Sequence, residues 1–283
     1  MKIIECPRDA MQGIEHFIPT DKKAEYINQL LQVGFDTIDF GSFVSPKAIP
    51  QLRDTAEVLS KLNLEGSKSK LLAIVANERG AEEACQFPEI DYLGFPFSIS
   101  ETFQKRNINS TVEKSYQRAL RIKEIAAKHN KKPVIYISMA FGNPYGDKWD
   151  ADLVLEHAMR FYRDMEADII SLSDTIGSAD ESTIDYLFKT LIPETKGIEI
   201  GAHLHTTPQS WKPKFEAAYN AGCRRFDGAI NGLGGCPMAA DELTGNMPTE
   251  NLMAFARESG LPTSLNNEEF EKARAMTGSV FPL

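Results

Sequence analysis

The chain has 283 residues, a length that single α/β barrels reach, and its 42% hydrophobic and 25% charged composition excludes wholesale disorder. A net charge of −9, from 31 basic against 40 acidic side chains, excludes the basic surface of a nucleic-acid binder. It leaves room for an anionic small substrate held by a few local cations. No run approaches the roughly 18 apolar residues of a membrane span, and the first residues are too acidic for a secretory signal. Cys6, Cys85, Cys223 and Cys236 show neither Cys-x-x-Cys pairing nor zinc-ribbon spacing, so they read as reduced thiols. A cytoplasmic protein without a membrane or nucleic-acid partner is expected.

Short apolar segments alternate with amphipathic ones along the whole chain. Lys2–Glu5 is the first expected strand, followed by a loop and a helix over Asp21–Val33 that Asp21 caps and Gly34 ends. Thr37–Phe40 is the second strand and Asp54–Leu62 the next helix. Leu71–Ala76 is a continuous apolar run, as in a strand covered on both faces. A helix over Arg79–Cys85 and a strand over Tyr92–Phe95 follow. Ser110, with Glu113 three residues on, forms a capping-box pattern for a long helix ending near His129. Then come strand Pro133–Ser138, helix Ala151–Glu166, strand Asp168–Ser173, helix Ser182–Leu191 and strand Glu199–Leu204. Helix Lys212–Ala221, strand Arg225–Ile230 and helix Thr249–Ser259, with Pro248 in its first turn, complete the pattern.

Eight strands and eight helices in strict alternation predict a closed parallel sheet, the α/β architecture of a (β/α)8 TIM barrel. The rival open sheet would carry a Gly-x-Gly-x-x-Gly loop after strand one, where this chain has Cys6-Pro7-Arg8-Asp9. With no linker or composition break in view, residues 1–283 are expected to form one catalytic barrel domain with a short C-terminal extension after Leu261.

Chemistry in such barrels collects at the C-terminal ends of the strands. There the sequence places Arg8, Asp9 and Gln12 after strand one, Asp39 at the end of strand two and Ser173-Asp174-Thr175 after strand six. His203 and His205 close strand seven, and a glycine-rich loop from Asn231 to Asn246 follows strand eight. Residues two apart on a strand project from the same face, so the two imidazoles can share one ion. Asp9, His203, His205 and Asn246 make a mixed N/O set with room for substrate, suited to Mg²⁺ or Mn²⁺. A His-x-His pair alone equally describes packed strand histidines. Cys236 sits between Gly235 and Pro237 in a polar loop, where a thiol can act as acid, base or nucleophile. The other three cysteines read as small core residues. Arg8 is either half of a surface ion pair or a cation for a developing oxyanion. Asp39 is either its buried partner or a base, and Asp174 and Thr175 can equally be helix caps.

Taken together, Arg8-Asp9-x-x-Gln12, Ser42-Phe43-Val44-Ser45-Pro46-Lys47, Asn107-Ile108-Asn109, Asp174-Thr175-Ile176-Gly177, His203-Leu204-His205 and Gly232-Leu233-Gly234-Gly235-Cys236-Pro237 resemble the 3-hydroxy-3-methylglutaryl-CoA lyase family of barrel metallolyases. The resemblance runs over about residues 5 to 260. It implies that Asp9, His203, His205 and Asn246 bind a divalent metal, that Arg8 stabilises an enolate and that Cys236 is the catalytic thiol. Asp39 takes the family's glutamate position, and His203 or Asp9 is the base. It further implies an acyl-CoA substrate, a homodimer, and cleavage to acetyl-CoA and acetoacetate or a close analogue. The reverse Claisen condensation, an aldolase reaction and a non-catalytic barrel are the alternatives; the intact ligand set and Cys236 argue against the last. The chain departs from the family at Ala10 and Gly13, at Thr206-Thr207-Pro208-Gln209 after the second histidine, and in a loop one residue longer between Cys236 and Asn246 that carries Asp241 and Glu242.

Overall fold

A computed structural model describes residues 1–235, 244–261 and 264–281. Eight parallel strands form the barrel: β1 (Lys2–Glu5), β2 (Thr37–Ser42), β3 (Lys70–Ile74), β4 (Ile90–Ser98), β5 (Lys132–Ser138), β6 (Ile169–Asp174), β7 (Glu199–Thr206) and β8 (Arg225–Gly228). Each pairs with its sequence neighbours, and β8 pairs with β1, which closes the sheet. The expected (β/α)8 fold is the observed one. Strands such as β2 and β6 are buried along their full length, because interior side chains cover one face and helices the other.

The helices between strands each bury one stripe. In α6 (Val112–Lys128) the buried residues Val112, Ser115, Tyr116, Ala119, Ile122 and Ala126 recur three or four apart. Helix α2 (Thr20–Val33) ends at Gly34, whose φ of 85° is left-handed and costs glycine little. Two expected caps differ, and one open reading is settled. Thr111, not Ser110, caps α6 by accepting a hydrogen bond from the Lys114 N–H. Asp21 lies inside the first turn of α2 rather than before it. Helix α8 (Glu181–Glu194) is capped by Asp180, and Asp174 does other work.

Several elements exceed the expected plan. The segment after β1 is a short helix, α1 (Pro7–Gln12), and α5 (Glu101–Ile108) precedes α6. The remaining helices are α3 (Thr55–Ser60), α4 (Glu78–Ala84), α7 (Ala151–Met165), α9 (Trp211–Asn220) and α10 (Thr249–Glu258). The C-terminal extension is a full helix, α11 (Asn267–Val280), docked on α2. There Phe281 meets Tyr26 edge-on at 5.4 Å, and Gln29 donates to the Glu269 carbonyl and carboxylate. A two-residue strand, β9 (Gly245–Asn246), pairs antiparallel with the end of β7. No helix among the described residues is long and apolar enough to cross a membrane.

Candidate metal and catalytic site

Pro7 occupies the first turn of α1, where its missing N–H costs no hydrogen bond. The chain therefore turns into a helix directly at the mouth of β1, and Arg8 and Asp9 lie buried across that mouth. The Arg8 guanidinium donates to both oxygens of Asp39, with Nη2 to Oδ2 at 2.6 Å and Nε to Oδ1 at 3.2 Å. Its Nη1 reaches Asp9 Oδ1 at 3.0 Å and Gln12 Oε1 at 2.8 Å. A forked guanidinium on a carboxylate fixes direction as well as distance. Asp39 is thus the buried partner of Arg8, and the surface ion-pair reading of Arg8 falls. Burial pushes Asp39 up to about 6 against the pull of Arg8. Burial alone would raise Asp9 as well, but the Arg8 charge, the two histidines and Asn246 together hold it well below the usual carboxylate range.

Across the mouth, His203 and His205 lie on one side of β7 with ring centroids 5.3 Å apart. Asp9, His203 and His205 each offer a ligand atom, all within 4.8 Å of one another. Asn246 joins them through β9, whose register sets its Cα opposite His205. Its Nδ2 donates to Asp9 Oδ2 at 2.7 Å and to the Leu233 carbonyl at 2.9 Å. Gly234, with φ of 90°, lets the loop pass close: a Cβ there would stand 2.8 Å from Asn246 Nδ2 and 2.9 Å from the Asp9 carbonyl oxygen.

This donor set fits a divalent cation. It combines two imidazoles, a carboxylate held ionised and an amide, and the Nδ1 of His205 is buried with no hydrogen-bond partner. Burial and the neighbouring His203 push the His205 imidazole down to about 4, so it is neutral, the form that ligates. His203 behaves differently. Burial opposes its charge, yet the hydrogen bond from Nδ1 to Asp227 Oδ2 at 3.1 Å and the charges of Asp227 and Asp9 raise it.

Arg8, Asp9, His203 and His205 line a cavity of about 440 Å³. Its lining also mixes polar Ser138, Ser173 and Thr175 with Val44, Ile49, Phe103 and Tyr136, and includes the exposed Arg106 and Asn107 of α5. Beneath β7, the buried Lys214 of α9 donates to Asp174 Oδ2 at 2.7 Å and to the carbonyls of Gly177 at 2.8 Å and His205 at 3.0 Å.

The structure brings Arg8, Asp9, Asp39, His203, His205 and Asn246 to one place, while Cys236, Asp241 and Glu242 lie outside the described residues. Cys6, Cys85 and Cys223 are buried. Three participants escaped the sequence reading. Asp227 carried a usable signal, since period-two alternation along Arg225-Phe226-Asp227-Gly228 turns its side chain inward with Arg225. Tyr136, on the cavity wall against His203 at 5.9 Å, was hidden in an apolar strand. Lys214 looked like one more charged helix residue.

A closed (β/α)8 barrel with an Asp–His–His–Asn cluster at the C-terminal mouth defines a class: barrel enzymes whose strand ends could hold a divalent cation. The narrower grouping comes from likeness to known proteins. The chain belongs to the HMGL-like family, whose profile it matches over residues 2–277. It is 31% identical over 270 residues to the hydroxymethylglutaryl-CoA lyase of Bacillus subtilis, with 94% of this chain and 88% of that protein covered. It is 33% identical to the cytoplasmic 3-hydroxy-3-methylglutaryl-CoA lyase of Rattus norvegicus, covering 94% and 77%. Among solved structures, an HMG-CoA lyase from Acinetobacter baumannii in complex with coenzyme A and 3-methylmalate superposes with a TM-score of 0.89 at 30% identity, covering 99% of this chain and 90% of that one.

Proposed function

We propose that this protein is a divalent-metal-dependent carbon–carbon lyase that cleaves 3-hydroxy-3-methylglutaryl-CoA, or a close analogue, into acetyl-CoA and acetoacetate. The observation that carries the reading is the convergence of Asp9, His203 and His205 at the cavity, with Asn246 hydrogen-bonded to Asp9, in a chain of the HMGL-like family. Mg²⁺ or Mn²⁺ held by these four residues would supply Lewis-acid stabilisation of the substrate's oxygens.

The residues of the chain divide the remaining work. The 3-hydroxyl proton passes to a basic group on the cluster wall, the Asp9 carboxylate or the His203 imidazole. As the C–O⁻ pair folds into a ketone, the C2–C3 bond breaks and its electrons move onto the thioester carbonyl as an enolate. Arg8, clamped by Asp39 and Gln12, presents fixed positive charge at that mouth, where developing oxyanion charge costs least. The Cys236 thiol returns a proton to C2, which completes acetyl-CoA, and acetoacetate leaves from the other half. The apolar wall of Val44, Ile49 and Phe103 excludes water from the enolate during its lifetime. The solved relative that holds coenzyme A supports an acyl-CoA as the substrate class. A homodimer in the cytoplasm is the assembly and location that accompany this reading.

The test is direct. Purified protein incubated with 3-hydroxy-3-methylglutaryl-CoA and Mg²⁺ or Mn²⁺ is expected to release acetoacetate, to stop on chelation and to resume when metal is returned. Undiminished turnover in chelated protein, or no keto acid from any thioester of a panel varied in its acyl part, refutes it.

A further inference from the structure

His203 belongs to two clusters at once. Its ligand atoms lie within 4.8 Å of those of Asp9 and His205 on the cavity side, and equally of those of Cys6 and Asp227 on the side facing into the barrel. An imidazole has two nitrogens and cannot offer the same one to both. The hydrogen bond decides the matter, because Nδ1 stands 3.1 Å from Asp227 Oδ2 and so Nε2 is left for the cavity.

The surroundings make that orientation hard to reverse. Asp227 sits on β8 inside the barrel with its side chain fully buried, and it reaches His203 across 24 residues of sequence. Tyr136 meets the ring nearly at right angles, 81° between planes, and packs against it from β5. Cys6, the third member of the inner cluster, is a buried thiol facing the carboxylates of Asp227, Asp39 and Asp9. A carboxylate accepts but does not donate, so Asp227 selects the tautomer of His203 that carries its proton on Nδ1. The Nε2 lone pair is then aimed at Asp9 and His205 before any cation arrives.

We propose that Asp227 is the positioning residue of the metal centre: it fixes the tautomer and pitch of His203, so that Nε2 is presented to the cation. The inference rests on the metal site proposed above. It assigns a role to a residue that touches neither cation nor substrate, and pairs of this kind raise the basicity of a ligating imidazole.

The experiment has two readouts that need no catalytic activity. In metal-free wild-type protein labelled with ¹⁵N-histidine, in alkaline buffer where imidazoles are neutral, long-range ¹H–¹⁵N correlation reports which ring nitrogen bears the proton. The His203 signals are assigned by their loss in His203→Gln. Protonation at Nδ1 is expected, and protonation at Nε2 overturns the proposal. Calorimetric titration with Mn²⁺ then compares wild type with Asp227→Asn, which keeps the shape and removes the obligate acceptor. A loss of affinity of about 10- to 100-fold is expected. A loss below tenfold overturns the positioning role, whereas a wild-type protein that binds no Mn²⁺ overturns the metal site itself and leaves the tautomer result to stand. A purely structural Asp227 would lower the melting temperature of the variant while leaving tautomer and Mn²⁺ affinity unchanged. If Asp227→Asn does not fold, the wild-type spectrum alone decides.

Discussion

Replacing Lys214 by methionine keeps most of the side-chain volume and removes one ammonium group. That group has three acceptors within 3.0 Å: Asp174 Oδ2 and the carbonyls of Gly177 and His205. Lys214 and Asp174 are both almost wholly buried, so water cannot substitute for the lost partner. Breaking one side of a buried ion pair typically costs about 3–5 kcal/mol, because the remaining charge stays in a low-dielectric site. Burial already raises the Asp174 carboxyl, so the variant is expected to escape part of this cost by protonating Asp174, and its destabilisation should grow as pH rises. Urea unfolding is the assay: Lys214→Met should lose about 3 kcal/mol or more near neutral pH, and Lys214→Met/Asp174→Asn should lose less than the single variant. If Lys214→Met costs under about 1 kcal/mol, or if the double variant is no more stable than the single one, the pair does not bear on folding as argued.

Three further outcomes can be checked. Glu5 is fully buried between the Ile230 N–H and the Thr249 hydroxyl, and burial lifts its pKa from 4.5 to about 8. A raised folded-state value contributes stability that is complete below pH 4.5 and is lost as pH climbs through 8. Glu5→Gln should therefore flatten the melting-temperature profile across that window, and an unchanged slope would remove Glu5 as its source. Gly234→Ala should lower stability by at least about 1–2 kcal/mol through its left-handed φ, and should weaken Mn²⁺ binding by displacing Asn246. Gly13→Ala, with nothing within 4 Å of the added carbon, should do neither in the same melting and titration assays. Cys236→Ala should lose most turnover with Mn²⁺ affinity intact; near-wild-type turnover would exclude the thiol as proton donor.

The fold was legible because each strand is a short apolar run between punctuating residues such as Gly34 and Gly222, and that signal is local. The candidate ligands were legible for a related reason: His203 and His205 stand at the end of a strand and Asp9 in the turn just past one, where barrel geometry restricts where a side chain can point. Capping was read less well. Ser110 and Thr111 are both competent caps, and only the path of the chain leaving α5 selects Thr111. Asp227 and Lys214 were missed because their partners, His203 and Asp174, lie 24 and 40 residues away. Asp174 shows the converse error, since a carboxylate before a helix resembles a cap until a lysine from another helix claims it.

The antiparallel pairing of Gly245–Asn246 with the end of β7 bears on how this enzyme scaffold can diversify. Asn246 stands opposite His205 in the strand register and donates to the Asp9 carboxylate. The Leu233 carbonyl accepts from the same amide, so residues 233 and 246 are held together by one side chain. Loop sequences grafted between these two anchor points are expected to leave Asn246 in place beside Asp9 and His205.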